Sequence, residues 1–243
     1  MRNICTIAVR ELKAYFGSPA AYLVAFLFLL VLGIIFYANI VAAILNQFAP
    51  GTEVVLGPMV TLLLFVTPAV TMRLLADEQR LGTMELLLTA PVRDWEMVVG
   101  KWLGGFLFMV FIIALTWLFP LLLNQIVDPG IDQGVLVSGY LGLLLLTASL
   151  VAIGVAVSSL FSNQIAVFFA TLGIFLVLWL IGMPNQAAGG LGSDLLRYLD
   201  FSEHYYNTFF QGIIDLSDTV YFLGLTVLAL FIGTLSVETR RWR

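Results

Sequence analysis

Residues 72–101 read MRLLADEQRLGTMELLLTAPVRDWEMVVGK. Within this stretch Arg73, Arg80, Arg93 and Lys101 are interspersed with Asp77, Glu78, Glu85, Asp94 and Glu96, and no other internal segment is dense in both signs of charge. Long apolar runs flank it on both sides. A mixed-charge, amphipathic stretch between two such runs is an aqueous loop of a membrane protein, and its pattern is that of a docking surface.

The rest of the chain agrees with a membrane class. It has 243 residues, of which 61% are hydrophobic and 11% charged, and a mean hydropathy of +1.03. A soluble domain carries about 25% charged residues. The formal net charge of −4 says less than its distribution does. Cys5 is the sole cysteine, which excludes an intrachain disulfide and reads as an inert reduced thiol. The first 18 residues are too polar, and the apolar run after them too long, for a cleaved signal peptide, so that run is read as a retained helix.

Spanning the hydrocarbon core takes about 20 apolar residues. Six segments qualify: Ala20–Leu45, Gly57–Leu75, Trp102–Leu123, Val137–Leu160, Ile165–Ile181 and Thr219–Val237. None shows the ten-residue alternation of a barrel strand. The expected fold class is therefore an all-α integral membrane protein with six transmembrane helices. Arg2, Arg10, Lys13, Arg73, Arg80, Arg93, Lys101, Arg240, Arg241 and Arg243 fall on one side of this arrangement, and only Arg197 falls on the other. The positive-inside rule then makes both termini cytoplasmic.

Before the first span, Ile4, Ile7, Ala8, Leu12, Tyr15 and Phe16 form an apolar stripe at helical spacing, opposite Asn3, Thr6, Arg10 and Lys13. This predicts an N-terminal amphipathic interfacial helix, broken by Gly17-Ser18-Pro19. The segment 182–218 is the longest outer loop. It begins with breakers and then resumes helical character, with Tyr206, Phe209, Phe210, Ile213 and Ile214 on one face. Gly100 and Gly104 form a GxxxG at the inner end of the third span and are expected to mark a close helix contact, as are Gly154 and Ser158 in the fourth. Pro68 and Pro120 are expected to kink or end their helices.

Asp, Glu, Lys, Arg and His are absent at depth in these spans, which disfavours ion-coupled carriers and proton pumps. An intramembrane protease constellation is also missing. The one histidine, His204, cannot build a metal site alone.

Within the charged loop, Leu81-Gly82 interrupts the helix that leaves the second span. Thr83 then caps a short helix, Met84-Glu85-Leu86-Leu87-Leu88-Thr89-Ala90, which stops at Pro91. Glu85 is its only charge. Such a helix is poorly satisfied in water and fits an apolar groove on a partner.

The run from Glu78 and Arg80 through Gly82, Thr83, Met84, Glu85, Leu86, Leu87 and Leu88 to Pro91, ending in Gly100-Lys101, resembles the E-x-x-x-G-T-x-E-x-L-L-x-x-P…G-K signature of ABC-2 type transporter permeases. Within that family it is similar to the gliding-motility and nitrous-oxide-maturation type. The outer run from Phe201 through Tyr205 to Leu216 is similar to that subgroup too. The resemblance implies a single ABC-2 type transmembrane domain over 1–243, made of an interfacial helix (1–18), a cytoplasmic coupling loop (72–101) and an outer helical loop (182–218). It implies a multi-pass subunit of a prokaryotic plasma or inner membrane that dimerises with a second copy or paralogue. It also implies two cytoplasmic ATP-binding subunits, with the Gly82–Pro91 helix seated in a groove of the ATPase. No G-x-x-x-x-G-K-[ST] motif is present, because Trp95 replaces its first glycine and Trp102 follows Lys101. ATP and magnesium are therefore expected on the partner and no cofactor in this chain. Besides the ATPase, membrane lipid is an expected partner and nucleic acid is not.

The leading expectation is a permease that moves a lipid, polysaccharide, peptide or drug. The alternative is a mechanotransmission subunit of the same build, which relays ATPase motion to an outer partner and transports nothing. Tyr205, Tyr206, Phe209 and Phe210 would then form the partner surface. A membrane enzyme is the third reading, disfavoured by the missing buried ionisable groups.

Overall fold

A computed structural model describes residues 2–80, 82, 92–181, 196 and 198–241. The described residues are helical throughout: α1 (Arg2–Phe16), α2 (Pro19–Leu45), α3 (Glu53–Thr71), α4 (Ala76–Arg80), α5 (Asp94–Leu115), α6 (Leu118–Ile126), α7 (Gln133–Leu160), α8 (Gln164–Leu180), α9 (Phe201–Tyr206), a 3-10 turn at Phe209–Gln211, and α10 (Leu216–Arg241).

Five stretches among them are long and apolar enough to cross a membrane: α2, α3 with α4, α5 with α6, α7, and α10. α8 was expected as a sixth span. It has 17 described residues, about 26 Å of helix, and residues 182–195 after it lie outside the described residues. The chain is a multi-pass membrane protein.

Local chemistry sets the helix ends. The side chains of Asp132, Asn163 and Asp200 each accept from backbone N–H groups in the first turn of α7, α8 and α9, which satisfies donors that a helix start leaves free. Pro19 stands in the first turn of α2, where its missing N–H costs nothing. Pro120 has the opposite effect. It cannot donate to the carbonyl four residues back, and the α5–α6 helix breaks at that point, Thr116–Trp117. The Thr116 hydroxyl donates to the Ile113 carbonyl at 2.6 Å and meets Tyr140 Oη at 2.9 Å, which satisfies the break. Pro68 does not end its helix. α3 runs through it, and the interruption comes at residues 72–75.

α7 is the central helix, contacting α3, α5, α8, α10 and the 3-10 turn, and most of it is buried. α2 lies at the periphery. It buries one stripe, Ala21, Ala25, Phe28, Leu32 and Phe36, and presents apolar side chains elsewhere, as suits a helix bathed in lipid. α1 and the end of α10 lie at one end of the bundle. There α1 packs on the start of α5, and Ser236 of α10 donates to the Ser159 carbonyl at the end of α7. α4 and residues 92–93 lie at that end too.

Candidate functional site: the root of the charged loop

α4 leads into residues 81–91, and each part of it is fastened to a different helix. Its first donors, the N–H groups of Leu75 and Ala76, both give to Ser158 Oγ at 3.0 Å. A hydroxyl from α7 thus caps α4, the role a residue of the same helix usually plays. Gln79 Nε2 returns the favour by donating to the Ser159 carbonyl at 2.9 Å, one of the oxygens that the end of α7 leaves without an intrahelical donor. Asp77 accepts from Gln164 at the start of α8. Thr71, at the end of α3, packs its side chain into the space left by Gly154 of α7.

Glu78 makes the fourth connection. Its Oε1 lies 2.9 Å from Lys101 Nζ and 3.4 Å from Arg10 Nη2. Lys101 also holds Glu11 Oε1 at 2.9 Å. The lysine is 2% exposed. One buried ammonium therefore joins α4, α5 and α1. Lys101 reads from the sequence as a solvated flank of the third span. It is instead buried between two carboxylates, which offset the desolvation that an isolated ammonium would suffer. Glu96 adds a second link between α1 and α5. Its Oε2 accepts from Asn3 Nδ2 at 3.1 Å and from the Arg93 backbone N–H at 3.2 Å.

α1 is seated by two glycines. A Cβ on Gly100 would lie 2.8 Å from Ile7 Cβ, and one on Gly104 2.6 Å from Glu11 Cβ. The GxxxG is thus occupied by a helix of its own chain. Tyr15 closes the seat: its hydroxyl donates to the Val70 carbonyl at 2.8 Å, its ring stacks on Phe108 at 4.7 Å, and the Arg73 guanidinium lies 5.7 Å above it. Burial pushes the Tyr15 phenol well above its ordinary range, so it remains a donor. Arg10, Glu11, Tyr15, Arg73, Glu78 and Lys101 line a cleft of about 240 Å³ at this junction.

Of the residues proposed for coupling, Glu78 and Arg80 close α4, with Glu78 mostly buried and Arg80 exposed. Gly82 has φ +69°, a left-handed conformation that suits a glycine break. Thr83, Met84, Glu85, Leu86, Leu87, Leu88 and Pro91 lie outside the described residues, as does 182–195 of the far loop.

The proposed partner surface at the far end is corrected. Tyr205 and Phe209 are fully buried. Phe209 fills the space beside Gly142, where a Cβ would approach it to 2.5 Å. The Ser138 hydroxyl donates to the Phe209 carbonyl at 2.8 Å. Tyr205 Oη donates to the Gly139 carbonyl and Tyr206 Oη to the Gly57 carbonyl, each at 3.4 Å. Phe210 is half-buried beside Tyr206. These aromatics plug α3 and α7. The single face expected to run on to Ile213 and Ile214 is broken by Gly212 at φ +89°, which leaves both isoleucines exposed.

Sequence reasoning missed Glu11, Gln79, Lys101, Ser158 and Gln164 as one constellation. Two signals were present. Glu11 is the one acid in an otherwise basic helix, and Lys101 sits between apolar residues at a point where a glycine pair invites a neighbour.

Comparison with curated proteins gives no match. A family model described as ABC-2 family transporter protein matches residues 55–240, from the first turn of α3 to the end of α10 and across the whole root of the loop. The chain belongs to the ABC-2 family of transporter proteins.

Proposed function

We propose that this chain is the permease subunit of an ATP-binding cassette transporter and that a separate cytoplasmic ATPase drives it through residues 81–91. The observation that carries the reading is the fastening of α4 to α7, α8, α5 and α1 through Ser158, Gln164, Lys101 and Arg10. A loop that served only as a connection would have no need of a rigid root. Here a push on 81–91 passes through α4 to four helices together. Members of this family typically lack catalysis of their own and leave ATP hydrolysis to another subunit, so ATP and magnesium belong to the ATPase. Ten of the eleven basic residues favour the cytoplasm for the end that holds α1 and α4. Two copies, or this chain and a paralogue, would enclose the pathway at a two-fold interface, and two ATPases would dock below.

The mechanotransmission alternative drew on the acidic outer loop with Tyr205, Tyr206, Phe209 and Phe210; the burial of Tyr205 and Phe209 leaves it the half-buried Tyr206 and Phe210 and the acidic residues. The substrate exported or translocated is a lipid, polysaccharide, peptide or drug.

The test is Leu87→Asp, with co-purification of the ATPase and ATP-driven activity as readouts. Burying two leucines is worth about 3–6 kcal/mol before ordering costs, so the substitution should release or uncouple the ATPase while the membrane part stays folded. Glu85→Ala should leave co-purification nearly intact and lower coupling, because a charged contact fixes orientation more than affinity. Wild-type behaviour of both variants overturns the reading.

A further inference from the structure

His204 is the only histidine in the chain, and its side chain is 11% exposed. Its Nδ1 lies 2.6 Å from Asp218 Oδ1 and its Nε2 2.9 Å from the Tyr198 carbonyl oxygen. The ring stacks on Tyr221 at 3.9 Å and meets the edge of Tyr198 at 5.3 Å. Both polar partners are acceptors: a carboxylate on one side and a carbonyl on the other. A neutral imidazole has one N–H. With that hydrogen on Nδ1, the Nε2 lone pair confronts the Tyr198 oxygen. With it on Nε2, the Nδ1 lone pair confronts the Asp218 carboxylate. Both contacts are satisfied only when the His204–Asp218 pair holds one more proton than a neutral ring and a carboxylate carry between them.

The contacts run beside a second link between the same segments, the Tyr221 hydroxyl donating to the Leu199 carbonyl at 2.9 Å. Tyr198 precedes α9, and Asp218 stands in the first turn of α10. Between them lie α9 and the 3-10 turn, which plug the far ends of α3 and α7 through Tyr205, Tyr206 and Phe209. The surrounding charges are acidic. Glu203 and Asp215 line the same cleft, which is about 360 Å³. Asp200 is turned into α9, where it accepts from the Ser202 N–H and hydroxyl. From α10 the ring meets Asp218, Tyr221 and Phe222, and among the described residues a cation there has acidic and aromatic company.

We propose that His204 and Asp218 form a proton-operated clasp that fastens the α9 plug to α10, closed with the extra proton bound and loosened when it leaves. The closed state binds the proton, so falling pH tightens the clasp and rising pH opens it. The proton comes from the aqueous phase that the cleft faces. The clasp is independent of how the ATPase docks at the other end of the bundle.

The single histidine gives a direct test. The full chain, with ¹⁵N-labelled histidine and reconstituted in lipid nanodiscs, is followed by NMR from pH 5.5 to 8. Amide hydrogen-exchange protection factors of residues 201–211 are measured in parallel. The expected result is a ring protonated on both nitrogens at pH 5.5 that converts to one neutral tautomer as pH rises, with protection of 201–211 falling about tenfold at the same midpoint. In His204→Gln the protection should lose its dependence on pH over this range. Asp218→Asn should move the ring's titration to lower pH, because the carboxylate that favours the extra proton is gone. A ring that stays neutral throughout, or plug protection that ignores the ring's titration in the wild type, overturns the proposal without reliance on any variant folding.

Discussion

The carboxylate of Glu78 and the ammonium of Lys101 meet at 2.9 Å across the neck of the loop that joins α4 to α5. The same ammonium holds Glu11 at the same distance, so its removal takes the ion pair from Glu11 and leaves Glu78 with the longer contact to Arg10. Lys101→Met should destabilise the protein by about 3–5 kcal/mol, the cost of breaking a buried pair from one side. Glu78→Gln should cost less, because Lys101 keeps Glu11. In a double-mutant cycle the two substitutions together should cost less than their sum by about 1 kcal/mol or more. Denaturant unfolding of the purified chain reads all three, and strict additivity would show that the contact carries no coupling.

Ser158 caps a helix that is not its own. Ser158→Ala keeps the packing and leaves the Leu75 and Ala76 N–H groups without their acceptor. The expected cost is about 1–3 kcal/mol for the unsatisfied donors, concentrated in α4. Hydrogen exchange at residues 75–80 should accelerate while exchange along α7 stays unchanged. Uniform acceleration across the bundle would contradict a local cap.

The plug of α9 and the 3-10 turn needs a flat place to sit. Gly142→Ala drives a Cβ to within 2.5 Å of Phe209 Cβ and should cost about 1–3 kcal/mol through overpacking. Gly173→Ala is the matched control, because nothing lies within 4 Å of its added methyl. Thermal aggregation of the two variants in detergent should separate them, with Gly142→Ala lower and Gly173→Ala at the wild-type value.

Cys5 is the sole thiol, and it is exposed on α1. A membrane-impermeant maleimide should label it in inside-out vesicles and leave it untouched in intact cells. Labelling from outside would invert the orientation proposed for the whole chain, with no engineered cysteine needed.

Periodicity and punctuation made most of the helices legible. The stripe Ile4, Ile7, Ala8, Leu12, Tyr15 and Phe16 marked α1, and Gly17-Ser18-Pro19 marked its end, because both signals act within a turn or two of the chain. Partner choice was not legible in the same way. Lys101 looked like a solvated flank because its two carboxylates come from residues 11 and 78, and no local pattern encodes that meeting. Tyr205 and Phe209 looked like a surface because they lie in a loop, yet Gly142 leaves a recess in α7 that their two rings fill. The start of α4 after the break is capped by Ser158, a residue on another helix that no local pattern points to.

The recess that Gly100 and Gly104 leave for α1 also imposes an order of assembly. α1 leaves the ribosome before α5, and the surface it rests on is made about 90 residues later, the separation of Glu11 and Lys101. At roughly 5–20 residues per second, the N-terminal helix waits about 5 to 20 seconds before its seat exists. Its stripe must be sheltered during that interval, and the bilayer surface is the nearest shelter. The amphipathic face of α1 thus has two successive hosts, lipid during synthesis and α5 afterwards, and the basic residues on its opposite side suit it to the first while Glu11 commits it to the second.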